Sequence, residues 1–369
     1  MATLLITGSE GFIGKNLLQR LSSTSHKIIG IDLHHTEDDL TLALTQSDFI
    51  FHLAGVNRPT HEGEFKESNI DFTHKLLTSL EKLHKTIPLV VTSSTQAELD
   101  NPYGQSKKSM EELVLDWANR THSKAFIYRL TNVFGKWCRP NYNSAVATFC
   151  HNITHQLPLT VSDPSKTLQL LYIDDLITCF LNTLENESHL STGFYKALPT
   201  YDITLQSLIE KLYSFREIRK TLLLPDFKHP FDRALYATYL SYLPSSELNY
   251  SLNIFKDSRG QLSEILKSSH LGQIFISTTK SGITRGNHYH HTKVEKFIVL
   301  HGIATISLRN LLNNEVISYE VTSTPLQVID IPPGYTHNIT NTGSEDLITL
   351  FWSDELFNPL CPDTFFEKV

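Results

Sequence analysis

Cysteine, positive charge and long apolar runs are all scarce in this 369-residue sequence. Its four cysteines are widely spaced without a CxxC pair, which excludes a dense disulfide framework and favours reduced thiols (Cys138, Cys150, Cys179 and Cys361). Lysine and arginine number 32 against 39 acidic residues, and the net charge of −7 argues against broad binding to nucleic acid or anionic membranes. Because we find no run of about 18 apolar residues and no basic-then-apolar leader, we expect a cytoplasmic protein.

The composition is otherwise that of an ordinary globular protein, with 40% hydrophobic and 19% charged residues. The length favours two domains. In the first half, short apolar runs alternate with helical segments, which is typical of an α/β fold with a Rossmann-like doubly wound parallel sheet. The predicted strands are TLLIT, KIIGID, DFIFHLAG, IPLVVTSS and KAFIYRLTNVF.

The pattern changes near Pro244, where short β-rich runs separated by turn residues such as Gly302 and Gly343 take over. No long amphipathic helix interrupts this order of strand, turn and strand. The second half is therefore predicted to be a small all-β jelly roll or barrel. We place the two domains at residues 1–243 and 247–369.

A glycine-rich turn follows the first predicted strand. In TLLITGSEGFIGKNL, Gly8, Gly11 and Gly14 stand between that strand and a helix. Glycines there allow a tight turn and a close approach to a pyrophosphate, while the helix N-terminus offers free N–H groups to the anion. The spacing GxxGxxG differs from the GxGxxG dehydrogenase pattern, and a tight turn without a ligand is the alternative.

A second pattern indicates proton transfer. In NPYGQSKK, Tyr103 and Lys107 are four residues apart, which places them on one face of a helix. The ammonium group is expected to lower the pKa of Tyr103 towards neutrality, so that the phenol could protonate a carbonyl oxygen as hydride arrives at its carbon. The preceding strand ends in VTSST and supplies Ser93, Ser94 and Thr95 as hydrogen-bond donors to that oxygen.

These residues resemble the extended short-chain dehydrogenase/reductase superfamily, whose members largely act on nucleotide sugars, over roughly residues 1 to 240. The resemblance implies that Tyr103, Lys107 and Ser94 are catalytic. Asn69, Arg129 and YIDD at 172–175 match further family positions. The implied dinucleotide-binding residues are Gly8, Gly11, Phe12, Ile13, Gly14, His52, Leu53 and Ala54, with Tyr103 and Lys107, and the implied substrate-binding residues are Asn132, Arg139 and Asn143.

Asp32 bears on the choice between NADPH and NADH. It ends the second predicted strand, where a carboxylate usually hydrogen-bonds a ribose 2′-hydroxyl and repels a 2′-phosphate. This position favours NADH. His34 and His35 follow at once and would accommodate a phosphate if the loop turned them inward, but a solvent-facing turn explains them equally well.

Four side chains in the second half are of the kinds that bind metals. HYHHTKVE contains His288, His290 and Glu295, and PPGYTHNITN adds His337 on a later strand. Because residues two apart on a strand face the same side, both histidines of the first segment are expected to point into the barrel. Three imidazoles and a carboxylate suit Zn²⁺, Fe²⁺, Mn²⁺ or Ni²⁺.

The pattern HxHx₄Ex₆G, followed by PxGxxHxxxN, resembles the paired motifs of the cupin superfamily. DSRGQLSE and RGNH also resemble deoxysugar 3,5-epimerases built on the same barrel, in which the histidine that matches His288 is a base. His288 is therefore a ligand or a base. Lys296 is a candidate acid or enolate stabiliser, or an exposed structural lysine, and the resemblance implies substrate binding by Arg259, Glu264 and Arg285.

Over nearly its whole length the sequence resembles the CapF family of bacterial polysaccharide synthesis, in stretches such as HLAGVNRP, FGKWCRPNYNS and GNHYHHTKVEKF. This resemblance implies a homodimer that uses NADPH and Zn²⁺. The expected substrate is a UDP-4-keto-6-deoxy-N-acetylhexosamine, whose C4 ketone acidifies the C3 proton. The barrel would epimerise C3, and the first domain would reduce C4.

The implied product is UDP-N-acetyl-6-deoxy-L-talosamine, on the route to UDP-N-acetyl-L-fucosamine for capsule or O-antigen. Two alternatives stay open. One is a reductase whose metal-binding barrel is only structural or dimerising. The other is a nucleotide sensor joined to a binding module, which the Tyr103 and Lys107 pair argues against because a sensor needs no proton donor.

Overall fold

The computed structural model describes residues 1–61 and 63–369, which divide into two compact units. The first comprises Met1–Leu212 and Ala234–Pro244, and the second comprises Tyr213–Arg233 and Ser245–Val369. Among the described residues, we find no helix that is both long and apolar enough to cross a membrane. The functional division at residues 243 and 247 stays a prediction.

The elements up to Pro244 alternate between strands and helices, as the sequence predicts. In chain order they are β1 (Thr3–Thr7), α1 (Phe12–Leu21), β2 (Lys27–Ile31), α2 (Glu37–Gln46), β3 (Phe49–His52), α3 (Phe72–Lys82), β4 (Leu89–Ser94), α4 (Pro102–Thr121), β5 (Ala125–Leu130), β6 (Asn132–Phe134), α5 (Ala145–Thr154), β7 (Thr167–Tyr172), α6 (Ile173–Glu185), β8 (Gly193–Tyr195), β9 (Thr200–Thr204), α7 (Leu205–Thr221) and α8 (Pro230–Ser241).

Six of these strands form a parallel sheet in the order β2-β1-β3-β4-β5-β8. Apolar residues cover both of its faces: Leu4 and Ile6 of β1 pack into one buried cluster, and Leu5 packs into the other. Strands buried on both faces read as continuous apolar runs, which is why TLLIT and LVV stand out in the sequence. The predicted Rossmann-like architecture is confirmed.

Parallel order also determines where a site can form. The carboxyl ends of β1 and β4 lie at the same edge of the sheet, and the chain reverses its direction of strand addition at β1. Ligands of open α/β sheets bind in the crevice at such a point. A smaller sheet of β6, β7 and β9 completes the strands of this unit.

From residue 255 onward, the second unit consists of two antiparallel sheets. Its strands are β10 (Phe255–Asp257), β11 (Gly260–Ser268), β12 (Gly272–Thr279), β13 (Thr284–Tyr289), β14 (Glu295–His301), β15 (Ile303–Asn310), β16 (Val316–Thr322), β17 (Val328–Ile331), β18 (Tyr335–Asn341), β19 (Leu347–Ser353) and β20 (Phe365–Phe366). The sheets have the orders β10-β11-β12-β19-β14-β17 and β16-β15-β18-β13-β20. The predicted antiparallel β fold is confirmed, but β20 was not foreseen.

An aromatic core fills part of the space between these sheets. Phe275 stacks on Phe351 with 4.8 Å between ring centroids, and Phe297 meets Phe351 edge-on at 4.6 Å. Ile306 and Ile339 are buried in the same cluster. Alternation along β14 therefore turns Phe297 inward together with Glu295, whose carboxylate must find polar partners there.

Candidate functional site

The glycine-rich turn joins β1 directly to α1, and its three glycines have different structural roles. Gly8 has a φ of +70°, and a Cβ there would lie 2.7 Å from the Ala54 nitrogen. A Cβ on Gly14 would lie 2.1 Å from the Gly8 oxygen, so this glycine allows α1 to pack against the turn. Gly11 is exposed, and its Cβ would meet only the Gly8 oxygen, at 3.1 Å.

This difference gives a paired prediction. Gly11→Val should leave the fold intact but weaken dinucleotide binding roughly 10- to 100-fold, since the added methyl groups enter the cleft where a pyrophosphate would approach. Gly14→Ala should instead destabilise the protein by about 3 kcal/mol because no space exists for its Cβ. Nucleotide titration and thermal unfolding of both variants check this. Unchanged dinucleotide affinity in Gly11→Val would contradict the assignment of the turn.

Asp32 lies directly after β2 and is tied to the glycine turn. Its Oδ2 accepts a hydrogen bond from the Glu10 backbone N–H at 2.8 Å, and its Oδ1 accepts one from the Leu33 N–H at 2.9 Å. The His35 ring bonds the Asp32 backbone, whereas His34 is exposed and lies 3.7 Å from a Glu10 carboxylate oxygen. The carboxylate is therefore fixed beside the turn.

Local sequence places Tyr103 opposite Ser94. The Asn101 side chain caps α4 by accepting a bond from the Gly104 N–H at 2.8 Å, and Pro102 opens the helix. A Cβ on Gly104 would lie 2.2 Å from the Gln96 oxygen, so glycine allows α4 to approach the turn after β4. Tyr103 and Ser94 therefore line the same cleft.

Lys107 lies one helical turn beyond Tyr103 and is buried. Its ammonium group donates to the Thr92 carbonyl at 3.1 Å, and a Cβ on Gly55 would come within 3.0 Å of it. Burial lowers the pKa of Lys107 to about 8, although Glu111 opposes the shift. Burial also raises the pKa of Tyr103, against the opposing hydrogen bond from Ser94.

The expectation that Lys107 lowers the pKa of Tyr103 towards neutrality is therefore wrong for this structure. The phenol keeps its proton at neutral pH because burial disfavours the phenolate. A protonated phenol is the form that the reduction of a carbonyl consumes.

A buried ion pair holds α4 against the parallel sheet. Glu111 is 2% exposed and accepts two bonds from the Arg129 guanidinium, at 2.9 and 2.7 Å, and a third from Ser93 at 2.5 Å. Arg129 also pairs with Glu98 at 2.6 Å. The network joins α4 to β4 and β5 next to Ser94. Glu111 was not predicted from the sequence, although it stands four residues after Lys107 on the same face of the helix.

A cleft of about 670 Å³ lies at this edge of the sheet. Of the sequence-predicted residues it brings together Gly8, Gly11, Phe12, Ile13, Gly14, Leu53, Ser94, Tyr103, Lys107, Asn132, Arg139 and Asn143. The structure does not bring the His52 side chain there, because its ring is buried between the hydroxyls of Thr7 and Thr73, at 2.7 and 2.8 Å. Ala54 and Asp32 border the turn without lining the cleft.

In the second unit, the four predicted ligands converge. The ligand atoms of His288, His290, Glu295 and His337 all lie within 4.8 Å of one another. They come from both sheets, since β13 and β18 carry histidines and β14 begins at the carboxylate. A bulge at Asn287, with a φ of +60°, precedes His288, and His290 stands just beyond the end of β13.

The chemistry of this cluster fits a divalent cation. Both His290 Nε2 and His337 Nε2 lie 3.3 Å from Glu295 Oε2, yet neither nitrogen has a hydrogen-bond partner in the described structure. Both ring nitrogens of His337 are unpartnered at 0% exposure. Burial lowers the pKa of His288 to about 4, so its imidazole is neutral, as a ligand or base requires. Buried unpaired donor atoms at this spacing are what a metal would satisfy.

Lys296 does not join the cluster. It follows Glu295 on β14, points to the opposite face of the sheet and pairs with Asp330, with side chains 45% and 67% exposed respectively. The lysine near the cluster is Lys293, whose side chain is 11% exposed and whose Nζ lies 3.8 Å from Glu295 Oε1. Strand alternation could have excluded Lys296, but Lys293 lies in a loop and has no such signal.

The predicted substrate-binding residues of the second unit divide into two groups. Arg259 and Arg285 both approach Asp257, at 2.6 and 3.6 Å. Arg285 is mostly buried, and its Nε has no partner in the described structure. Glu264 instead pairs with Lys267 at 2.8 Å. The two arginines are therefore brought together, while Glu264 is bound in a separate ion pair.

Each unit contains a segment that matches a known protein family. Residues 4–195 match the NAD dependent epimerase/dehydratase family, and residues 255–365 match the polysaccharide biosynthesis C-terminal domain. The chain is 39% identical, over 98% of its length and 97% of the relative, to the UDP-2-acetamido-2,6-beta-L-arabino-hexul-4-ose reductase of Pseudomonas aeruginosa.

Solved structures resemble this chain over nearly its whole length. The capsular polysaccharide assembling protein CapF from Staphylococcus aureus superposes with a TM-score of 0.92 at 41% identity, covering 99% of this chain and 100% of that one. A second crystal form of the S. aureus protein gives 0.86 at 37% identity, covering 99% of each chain.

Proposed function

Because the chain belongs to the NAD dependent epimerase/dehydratase family and to its CapF-type reductases, we propose that it epimerises C3 of a UDP-4-keto-6-deoxy-N-acetylhexosamine and then reduces C4. The product would be UDP-N-acetyl-6-deoxy-L-talosamine, a precursor of UDP-N-acetyl-L-fucosamine for capsule or O-antigen. The observation that carries the proposal is that one chain holds both a cleft lined by Ser94, Tyr103 and Lys107 and a cluster of four metal-type side chains.

In the reduction, Tyr103 donates its proton to the C4 oxygen, and the Ser94 hydroxyl orients that oxygen. Lys107 is fixed by the Thr92 carbonyl, one helical turn beyond Tyr103, and is proposed to bind the dinucleotide in the cleft. When bound along the glycine turn, a reduced nicotinamide supplies the hydride. Asn132, Arg139 and Asn143 line the cleft and are proposed to hold the sugar diphosphate.

In the epimerisation, a base must remove the C3 proton to leave an enolate, and a solvent-derived proton must then be added to the opposite face of C3. His288 is half-buried while the other three members of the cluster are buried, so we assign the base to His288. His290, Glu295 and His337 would hold a divalent cation, proposed as Zn²⁺, which supplies Lewis acidity. Arg259 and Arg285 offer positive charge for the substrate diphosphate. The working form is proposed to be a homodimer, as the family resemblance implies.

The coenzyme preference depends on Asp32. Resemblance to the CapF family favours NADPH, but the carboxylate fixed beside the glycine turn would repel a 2′-phosphate. Asp32→Ala should raise the ratio of kcat/KM for NADPH to that for NADH about tenfold, since like-charge repulsion of the order of 1 kcal/mol is removed. Steady-state kinetics with both coenzymes measures this ratio. Asp48→Ala, which changes an acidic residue outside the cleft, should leave the ratio unchanged. An unchanged ratio in Asp32→Ala would contradict the assigned role.

The experiment that tests the proposed function is oxidation of the reduced coenzyme on adding the UDP-4-keto sugar. The expected result is one coenzyme oxidised for each C4 reduced. Failure to oxidise NADH or NADPH with this substrate would contradict the proposal.

A further inference from the structure

A short segment far along the chain contacts the loop that joins His290 to Glu295. Residues Asp363 to Phe366, named here the strap, include β20, which pairs with β13 so that Phe365 lies opposite Tyr289 and Phe366 opposite His288. The rings of Phe365 and Tyr289 stack at 5.4 Å. The strap thus extends the sheet at β13, the strand that carries His288 and leads into His290.

The carboxylate of Asp363 gathers three successive backbone amides of this loop. Its Oδ1 accepts from the His291 N–H at 2.8 Å, and its Oδ2 accepts from the Thr292 and Lys293 N–H groups at 2.8 and 3.0 Å. The Thr292 hydroxyl adds a fourth bond at 3.1 Å. Bonds from N–H groups to a charged carboxylate are stronger than neutral ones, so the loop between His290 and Glu295 is held in one conformation.

The strap backbone also contacts a member of the cluster directly. The Asp363 carbonyl accepts a hydrogen bond from His290 Nδ1, which places the proton on that nitrogen. His290 Nε2 is then the unprotonated atom, and it is the atom that lies 3.3 Å from Glu295 Oε2. A ligating histidine needs such an outer partner to fix its tautomer and ring orientation.

A third contact links the strap to the carboxylate ligand. Lys293 Nζ donates a hydrogen bond to the Thr364 hydroxyl at 3.2 Å and lies 3.8 Å from Glu295 Oε1. The other oxygen of Glu295 faces His290 and His337. The lysine therefore occupies the side of the carboxylate that faces away from the two imidazoles.

We propose that the strap is an integral part of the metal centre and that Asp363 is its positioning residue. By holding the loop, the His290 tautomer and the Lys293 contact, it presets the ligands before a cation arrives. This inference rests on the metal site of the proposed function. Its consequence is that cation affinity depends on a carboxylate that is not itself a metal ligand.

The test compares Zn²⁺ affinity, by chelator competition, in the full-length parent, Asp363→Ala and Asp363→Asn. Both variants should bind Zn²⁺ about 10- to 100-fold more weakly. In the asparagine variant, the side-chain NH₂ group would replace one carboxylate oxygen and would face backbone N–H groups to which it cannot hydrogen-bond. Asp330→Asn is the matched control, because the exposed Asp330 pairs with Lys296 on the other face of the sheet. The Zn²⁺ affinity of this variant should equal that of the parent.

A second measurement needs no variant. Because coupling is reciprocal, Zn²⁺ added to the parent should slow amide hydrogen exchange at residues 291–293 and 363–366 relative to the chelator-treated protein. Equal Zn²⁺ affinity in the parent and the Asp363 variants, or amide exchange in these segments that is the same with and without Zn²⁺, would overturn this inference but not the proposed function. Failure of the parent to bind Zn²⁺ would overturn it together with the proposed metal site.

Discussion

Tyr103→Phe should reduce the rate of coenzyme oxidation with the UDP-4-keto sugar by about 10²- to 10⁴-fold, the usual contribution of a positioned general acid. The substitution removes only the hydroxyl group of a side chain that lines the cleft together with Ser94. The glycine turn and Lys107 are untouched, so dinucleotide affinity should remain near that of the parent. Rapid-mixing absorbance at saturating coenzyme measures the loss at the reduction step itself.

Tyr128→Phe is the control for this change. Tyr128 is buried on β5, and its hydroxyl bonds Thr183 at 2.6 Å outside the cleft. Its removal should cost some stability, about 1 kcal/mol, without slowing the reduction. A Tyr103→Phe enzyme that reduces the substrate at the parental rate would remove the basis of the reductase assignment.

His337→Gln should abolish both tight Zn²⁺ binding and hydrogen exchange at C3 of the keto sugar. His337 is fully buried, and its ring nitrogens have no partner other than the cluster in the described structure. Glutamine cannot supply the imidazole donor, so one ligand is lost from a closely spaced set. Incubating the keto sugar in D₂O without coenzyme isolates this step, and nuclear magnetic resonance follows the C3 proton.

Two other variants bracket the result. His301→Gln alters an exposed histidine of the same barrel that pairs with Glu345, and it should exchange C3 at the parental rate. Tyr103→Phe should also exchange normally, because its defect lies in the other unit. If His337→Gln exchanged C3 as fast as the parent, the barrel would have only a structural role.

Much of the fold is predictable because the spacing of apolar residues differs between the two halves of the sequence. Strands covered on both faces, such as β1 and β4, give continuous apolar runs, and α5, α6 and α7 show helical spacing. The antiparallel strands are separated by glycine and asparagine turns. The helix α8 was not foreseen, and neither was the two-residue strand β20, which is too short to carry any periodicity.

The candidate sites were predictable where local spacing brings residues together. Tyr103 and Lys107 share a helix face, and the ligand cluster follows from two short motifs. The contacts of Asp363 were not predictable, because 72 residues separate it from His291 in the loop that it holds. The raised pKa of Tyr103 was missed for a similar reason, because it depends on burial rather than on the nearby lysine.

A single turnover in D₂O, with protiated coenzyme and the UDP-4-keto sugar, tests most directly whether one chain performs both steps. The account predicts a product with solvent deuterium and inverted configuration at C3, and with the hydrogen of the coenzyme at C4. A product reduced at C4 that keeps its original proton and configuration at C3 would contradict it.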